Sequence, residues 1–231
     1  MYAEQENLRI KVLGFMGSPH LHGFNRKLID SALKGAEIEG AAIKRYDLIQ
    51  CNIQYCRGCM KCVYESHGLQ IGKCPLQDDM ADILEEYIRA DGYILTSPVY
   101  DVNVTALMKT FLERKVALFF KQKGDFGKIP DARVKAHFKK KAALIATGSA
   151  GDEFKEVMAV PSFETMEAHF LIEEIDVIDK LYVGGLENIT RELLSEKLDE
   201  AYTIGIRLVE EIKKAREESS EKIPDCKSKV Q

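Results

Sequence analysis

The chain has 231 residues, 45% hydrophobic and 30% charged, with no tryptophan and a net charge of −4. That balance describes a single globular domain over 1–231 with a full core, and it gives no reason to expect nucleic acid as a partner. No stretch approaches the roughly 20 apolar residues of a membrane-spanning helix, and the opening MYAEQENLRIKVLGF lacks the apolar run of a secretory signal, so a cytoplasmic protein without a membrane partner is expected.

Arg9 to Phe15 reads as a short β-rich run that stops at Gly17. From Asn25 the apolar residues Leu28, Ile29, Ala32, Leu33 and Ala36 recur at helical spacing up to about Gly40. Ala42 to Leu48 alternates as a half-buried strand does, and a cysteine-rich loop at 51–78 follows it. Asp78 and Asp79 stand where they can cap a helix carrying Met80, Ile83, Leu84, Tyr87 and Ile88 on one face. Gly92 to Ser97 is a buried strand, and Thr105 to Phe120 a helix with Leu107, Met108, Phe111 and Leu112 inward. The basic insertion at 121–140 mixes Gly, Pro and Asp131 among its lysines and Arg133. It reads as a solvated surface loop, the alternative being a flap that attracts an anionic cosubstrate. Lys141 to Thr147 is a fourth strand, and Asp152 to Phe170 is helical but broken at Pro161, which has no backbone N–H to donate. Ile175 to Val183 is a fifth strand and Thr190 to about Glu217 a long final helix. A polar tail from about 218 frays and carries Cys226.

Strands alternating with helices imply an α/β three-layer sandwich, because each parallel step needs a right-handed crossover that covers a face of the sheet. Five such units fit a flavodoxin-like fold, a five-stranded parallel sheet in the order 2-1-3-4-5. Ligands of such sheets bind at the carboxyl ends of the strands, where the order reverses. Three loops lie there: GSPHLHGFN, SPVYDVNVT and TGSAGDEF. The first has neither the lysine of a P-loop nor G-x-G-x-x-G. It offers the Ser18 and Asn25 side chains, Gly17 and Gly23 for close backbone approach, and the free N–H groups of the next helix, a combination suited to a terminal phosphate monoester. A tight turn with Ser18 capping that helix is the structural alternative. His20 and His22 can each donate to a phosphate, although an ordinary pKa near 6.5 leaves them only partly cationic at neutral pH. Neither has a Ser or Cys nucleophile at readable spacing, so no catalytic acid or base is assigned.

These segments carry a family resemblance. GSP and GFN after the first strand, KCPLQDDM, ADGYILTSPVYDVNVTALMKTFLER and ATGSAGDEF together resemble the NADPH-dependent FMN reductase family from about Arg9 to Gly185. The most specific block is SPVY with V-T-x-x-M-K-x-F-L-E-R behind it. The resemblance implies Ser18, His20 and Asn25 at the phosphate of FMN, Pro98, Val99, Tyr100, Asp101 and Asn103 along its ring, and Thr147, Gly148, Ser149 and Gly151 on the other side. It also implies NAD(P)H as cosubstrate and a homodimer or homotetramer. Relatives usually carry Arg where this chain has His20, and often Asn-Thr where it has Phe24-Asn25. Beside the resemblance stands a physical case: a flavin needs a flat support, which Tyr100 can provide, and Pro98 fixes the backbone and removes a competing donor. Tyr100 covering the strand end is the alternative.

Cys56, Cys59 and Cys62 follow the spacing C-x2-C-x2-C, and Cys74 precedes Pro75. Zinc sites usually draw thiolates from two separated pairs, whereas three on one tight loop is the arrangement that wraps a cubane. The stretch also resembles the compact motif of iron-sulfur flavoproteins, whose last spacer is shorter than the eleven residues between Cys62 and Cys74. A 4Fe-4S cluster on Cys56, Cys59, Cys62 and Cys74 is the first expectation. Reduced structural thiols come second, and zinc or a redox disulfide last. Two activities follow: an enzyme passing electrons from NAD(P)H through FMN to a quinone, nitro or azo compound, flavin or metal ion, or an electron carrier fed by ferredoxin through the cluster. A redox sensor without turnover is a weaker third.

Overall fold

The computed structural model describes residues 9–64, 74–121, 127–132 and 136–221; part of the cysteine loop, part of the basic insertion, and Cys226 lie outside them. In chain order the elements are β1 (Lys11–Met16), α1 (Phe24–Ile38), β2 (Ala42–Asp47), α2 (Met80–Arg89), β3 (Gly92–Tyr100), β4 (Asn103–Val104), α3 (Ala106–Arg114), β5 (Phe119–Phe120), β6 (Asp131–Ala132), β7 (Lys141–Thr147), α4 (Lys155–Met158), α5 (Val160–Glu173), β8 (Asp176–Val183) and α6 (Arg191–Glu221). The main sheet runs β2-β1-β3-β7-β8, every neighbour parallel, with short β4 antiparallel on β3. This is the expected 2-1-3-4-5 order plus one short strand. The central strands are continuous apolar runs because helices cover both faces, while edge strand β2 is only half-buried.

On one face α1 and α6 bring Leu28, Ile29, Leu33, Ile204, Leu208 and Ile212 against Val12, Ile94 and Ile145. On the other, α2, α3 and α5 enclose Phe15, Tyr87, Tyr93, Phe111 and Phe170. The rings of Phe15 and Phe111 stack with centroids 4.4 Å apart, and those of Tyr87 and Tyr93 at 4.2 Å. This second core also buries a charge. Lys115 pairs with Glu173 at 2.7 Å and lies over the rings of Tyr87 and Phe170, 4.6 Å from each centroid.

Several boundaries differ from expectation for local reasons. The break near Pro161 falls at Ala159, so the proline sits in the first turn of α5, where a missing N–H leaves no bond unmade. Helix α3 ends at Arg114 rather than Phe120; a 3-10 turn then leads into β5, which pairs with β6 inside the basic insertion. Strand β3 continues through Pro98 to Tyr100, so SPVY is strand and not loop. The final helix runs on to Glu221. No helix among the described residues is long and apolar enough to cross a membrane.

Candidate functional site

Side chains from two strands and two helix starts tie the loops at the carboxyl edge together. Gly17 N–H donates to Thr96 O (2.7 Å), and Thr105 Oγ1 donates to Gly17 O (2.6 Å), which staples the turn after β1 to the head of α3. Thr105 also caps α3 by accepting the N–H of Met108 (3.2 Å). Asn25 accepts from Thr96 Oγ1 (2.6 Å) and donates from Nδ2 to Thr147 Oγ1 (2.7 Å), and all three residues are buried. Its side-chain amide is therefore committed to holding the middle of β3 and the end of β7 to the start of α1. Removing it strands two buried hydroxyls. Asn25→Ala is expected to cost about 2 kcal/mol, roughly 1 for each hydrogen bond lost, read as a lower urea midpoint at unchanged slope.

What Asn25 presents outward is backbone. The cap residue of α1 is Gly23, which brings no side-chain acceptor, and the first-turn N–H groups of Phe24, Asn25 and Arg26 have no partner within the helix. Ser18 does not cap α1; its Oγ accepts the N–H of His20 (3.1 Å). His20 and His22 are exposed, Ser18 buried. Ser18 and His20 belong to the loop that leads into the positive end of a 15-residue helix, a place that favours an anion.

The second segment is a tight hairpin. Tyr100 pairs with Asn103 and Val99 with Val104, so the chain reverses over Asp101 and Val102 alone. Both central residues have positive φ, 49° and 60°, as a two-residue turn of this hand requires. Val102 is β-branched and strained there, a conformation that persists only where the surroundings impose it. The hairpin holds Tyr100 46% exposed beside the strand ends. The third loop is anchored from β8: Gly148 N–H donates to Val183 O (3.1 Å), Tyr182 Oη to Ala150 O (2.8 Å), and Gly184 N–H to Asp152 Oδ1 (2.9 Å). Thr147 and Gly148 are buried, Gly151 half-buried, and Ser149 exposed. An uncapped helix end, an accessible aromatic ring and a glycine-lined loop at one sheet edge fit a phosphorylated planar cofactor.

Cys56, Cys59, Cys62 and Cys74 line one cavity of about 200 Å³ with Pro75 and Arg114. Left-handed Gly58 and Met60, at φ 61° and 56°, coil the backbone between the first three. None of the described cysteines is in a disulfide. Burial, reinforced by the nearby Cys74, pushes the Cys62 thiol up to about 11. Cys51 lies off this cavity, its thiol 3.5 Å from Asp47 O. Among the described residues, no group of three or more His, Cys, Asp or Glu is drawn together closely enough to hold a metal ion, the four cysteines of this cavity included.

Sequence reasoning did not single out the pair that closes this loop. Arg114, at the end of α3, donates from Nη1 to Asp78 Oδ2 (2.5 Å) and Gln54 O (2.8 Å), and from Nη2 to Asp78 Oδ1 (3.0 Å). Asp78 also accepts the N–H groups of Gln54 (2.9 Å) and Met80 (3.2 Å). Gln54 precedes the cysteines and Asp78 follows them, so one guanidinium clamps both flanks. Burial alone would raise the Asp78 carboxyl; the Arg114 and Gln54 hydrogen bonds hold it below its ordinary value.

Residues 10–171 match the NADPH-dependent FMN reductase family. An iron-sulfur flavoprotein of Archaeoglobus fulgidus is 38% identical over 105 residues, 46% of this chain and 45% of that protein. One of Methanocaldococcus jannaschii is 34% identical over 112 residues, 48% and 54% of the two chains. The chain thus spans about half the length of the curated relatives it matches. The solved NAD(P)H:quinone oxidoreductase from Methanothermobacter marburgensis shares its fold, with TM-score 0.61 and 18% identity over 87% of this chain and 99% of that one.

Proposed function

The chain belongs to the NADPH-dependent FMN reductase family, and from that premise we propose an FMN-dependent oxidoreductase that delivers electrons to a small-molecule acceptor, with Cys56, Cys59, Cys62 and Cys74 holding a 4Fe-4S cluster through which single electrons enter. The observation that carries the cluster is the shared cavity. Four thiols from two ends of a long loop surround a volume of about 200 Å³. A single zinc ion draws its thiolates to about 2.3 Å from one point, whereas a cubane bonds thiolates on several irons and asks for a wider set. The iron-sulfur flavoproteins among its relatives support the same reading.

When bound, FMN supplies one- and two-electron chemistry on one ring, and the cluster supplies one-electron chemistry. The protein's part is to bind and orient. Ser18, His20 and the first-turn N–H groups of α1 take the phosphate, with Asn25 keeping the loops in register. Pro98, Val99, Tyr100, Asp101 and Asn103 flank the ring, and Thr147, Gly148, Ser149 and Gly151 close the far side. Helix α3 spans the two sites: Thr105 at its head fixes the turn at Gly17, and Arg114 at its tail borders the cysteine cavity. Its nine residues cover about 13 Å at 1.5 Å each. The donor in this reading is a ferredoxin-class carrier, in a cytoplasmic setting where thiols stay reduced. A second reading, an NAD(P)H-dependent FMN reductase without a cluster, is favoured by the NADPH dependence that names the family.

Protein purified without air decides between them through its iron, acid-labile sulfide and absorption spectrum. The proposal expects serine at any of Cys56, Cys59, Cys62 or Cys74 to remove most iron and sulfide, and serine at Cys51 to remove neither. Flavin bands with no iron or sulfide leave the plain reductase. FMN is expected to bind one to two decades more tightly than riboflavin, since each charge-assisted hydrogen bond to phosphate contributes about 1.5–3 kcal/mol. Equal affinities would remove the phosphate from the first loop.

A further inference from the structure

The cysteine cavity has one wall that the ligand set does not explain. The Arg114 side chain is 1% exposed, yet only its two terminal nitrogens are used, and the buried Nε has no hydrogen-bond partner. Buried N–H groups are rarely left unpaired, and a charged one without an acceptor is the least tolerated kind. Arg114 lines the cavity while its counter-ion Asp78 does not. The next residue, Lys115, is equally buried but turned to Glu173 and away from the cavity. Arg57 and Lys61 also line the cavity, but both are exposed, so water screens them.

We infer that Arg114 is a positioning residue for the group the cysteines hold: the Asp78–Gln54 clamp fixes its guanidinium so that Nε–H and the cationic charge face the sulfurs, raising the centre's reduction potential. This rests on the cluster reading proposed above. One-electron reduction adds one negative charge and breaks no bond, so a fixed cation in a poorly hydrated wall favours the reduced form. Hydrogen bonds to sulfur act in the same direction, and both are recognised levers on cluster potential. A lysine cannot substitute, because its compact ammonium has no Nε–H beside a fork that grips the carboxylate.

The test is a mediated redox titration of the anaerobic holoprotein, followed by electron paramagnetic resonance. Arg114→Lys keeps a cation opposite Asp78 and loses the Nε–H. Arg114→Gln with Asp78→Asn removes both charges but keeps a hydrogen-bonding pair, so the flanks stay joined. Each is expected to retain wild-type iron and sulfide and to shift the reduction equilibrium at least tenfold toward the oxidised form, a fall of about 59 mV for one electron. The charge-free pair should shift further than Arg114→Lys, and Arg57→Gln should shift little. Intact clusters with the wild-type potential in both Arg114 variants overturn the inference and leave the cluster standing. A wild-type protein that takes up no iron and sulfide overturns the cluster and the inference together.

Discussion

Arg114→Met is expected to cost about 3–5 kcal/mol of folding stability at pH 7, the penalty of leaving a buried carboxylate without its partner. Both members of the pair are shielded from water, at 1% and 0% side-chain exposure, and two hydrogen bonds join them. The pH dependence identifies the mechanism. The folded-state pKa of Asp78 is held below its ordinary value. Its contribution is therefore fully present above the unfolded-state pKa near 3.9 and is lost as pH falls through the lower folded value. The gap between wild type and variant should be largest near pH 7 and begin to shrink already above the ordinary carboxyl value, because burial without Arg114 raises Asp78 and its carboxylate takes a proton early; it shrinks further below about pH 4, as the wild-type pair loses its own contribution. Adding Asp78→Asn to Arg114→Met should recover most of the loss, because no charge is then buried alone. Denaturant titrations at pH 7 and about 3.5 check both points, and a pH-independent loss would mean that lost packing, not the ion pair, sets the cost.

Gly205→Val should be nearly as damaging, at about 3 kcal/mol, from a position that carries no chemistry. A Cβ at Gly205 would overlap the backbone carbonyl oxygen of Ala32, and one at Gly35 would overlap that of Tyr202. Helices α1 and α6 therefore touch backbone to backbone at two glycines, one on each. A carbonyl cannot rotate aside as a side chain can, so any larger residue must push the helices apart. That opens the contacts of Leu28, Ile29, Ile204 and Leu208 beneath them. For a chain of this size the melting temperature should drop by roughly 6–12 °C, and Gly35→Val should behave alike. A melting point within a degree of wild type would show that the two helices separate freely.

Neither of these sites announces itself in the sequence. Gly35 and Gly205 stand inside runs of helical period, where a glycine reads as a local weakness and not as a contact point. Arg114 is separated from Asp78 by 36 residues and closes a helix, where a cation is ordinary. The hairpin at Asp101 and Val102 lacks the glycine or asparagine that signals a two-residue turn, so SPVY reads as a loop although it continues β3. Asn25 stood out for its residue type and position, but its side-chain partners, Thr96 and Thr147, come from strands far along the chain.

The residues alone determined the sheet order, the layers, the three loops at the carboxyl edge and the grouping of the cysteines. Those features follow from information carried within a few neighbours: apolar period selects strand or helix, crossover handedness limits the order, and short spacing keeps Cys56, Cys59 and Cys62 together. Tertiary structure alone decided which polar groups spend their hydrogen bonds inside the protein and which are left to face a ligand. Asn25 and Asp78 are both short polar side chains beside a helix start. One was drawn between two buried threonines and the other onto a buried guanidinium. The physical reason is desolvation: once water is excluded, a polar group must take whatever partner the packed fold brings to it. That partner is set by the crossing of strands and helices distant in sequence.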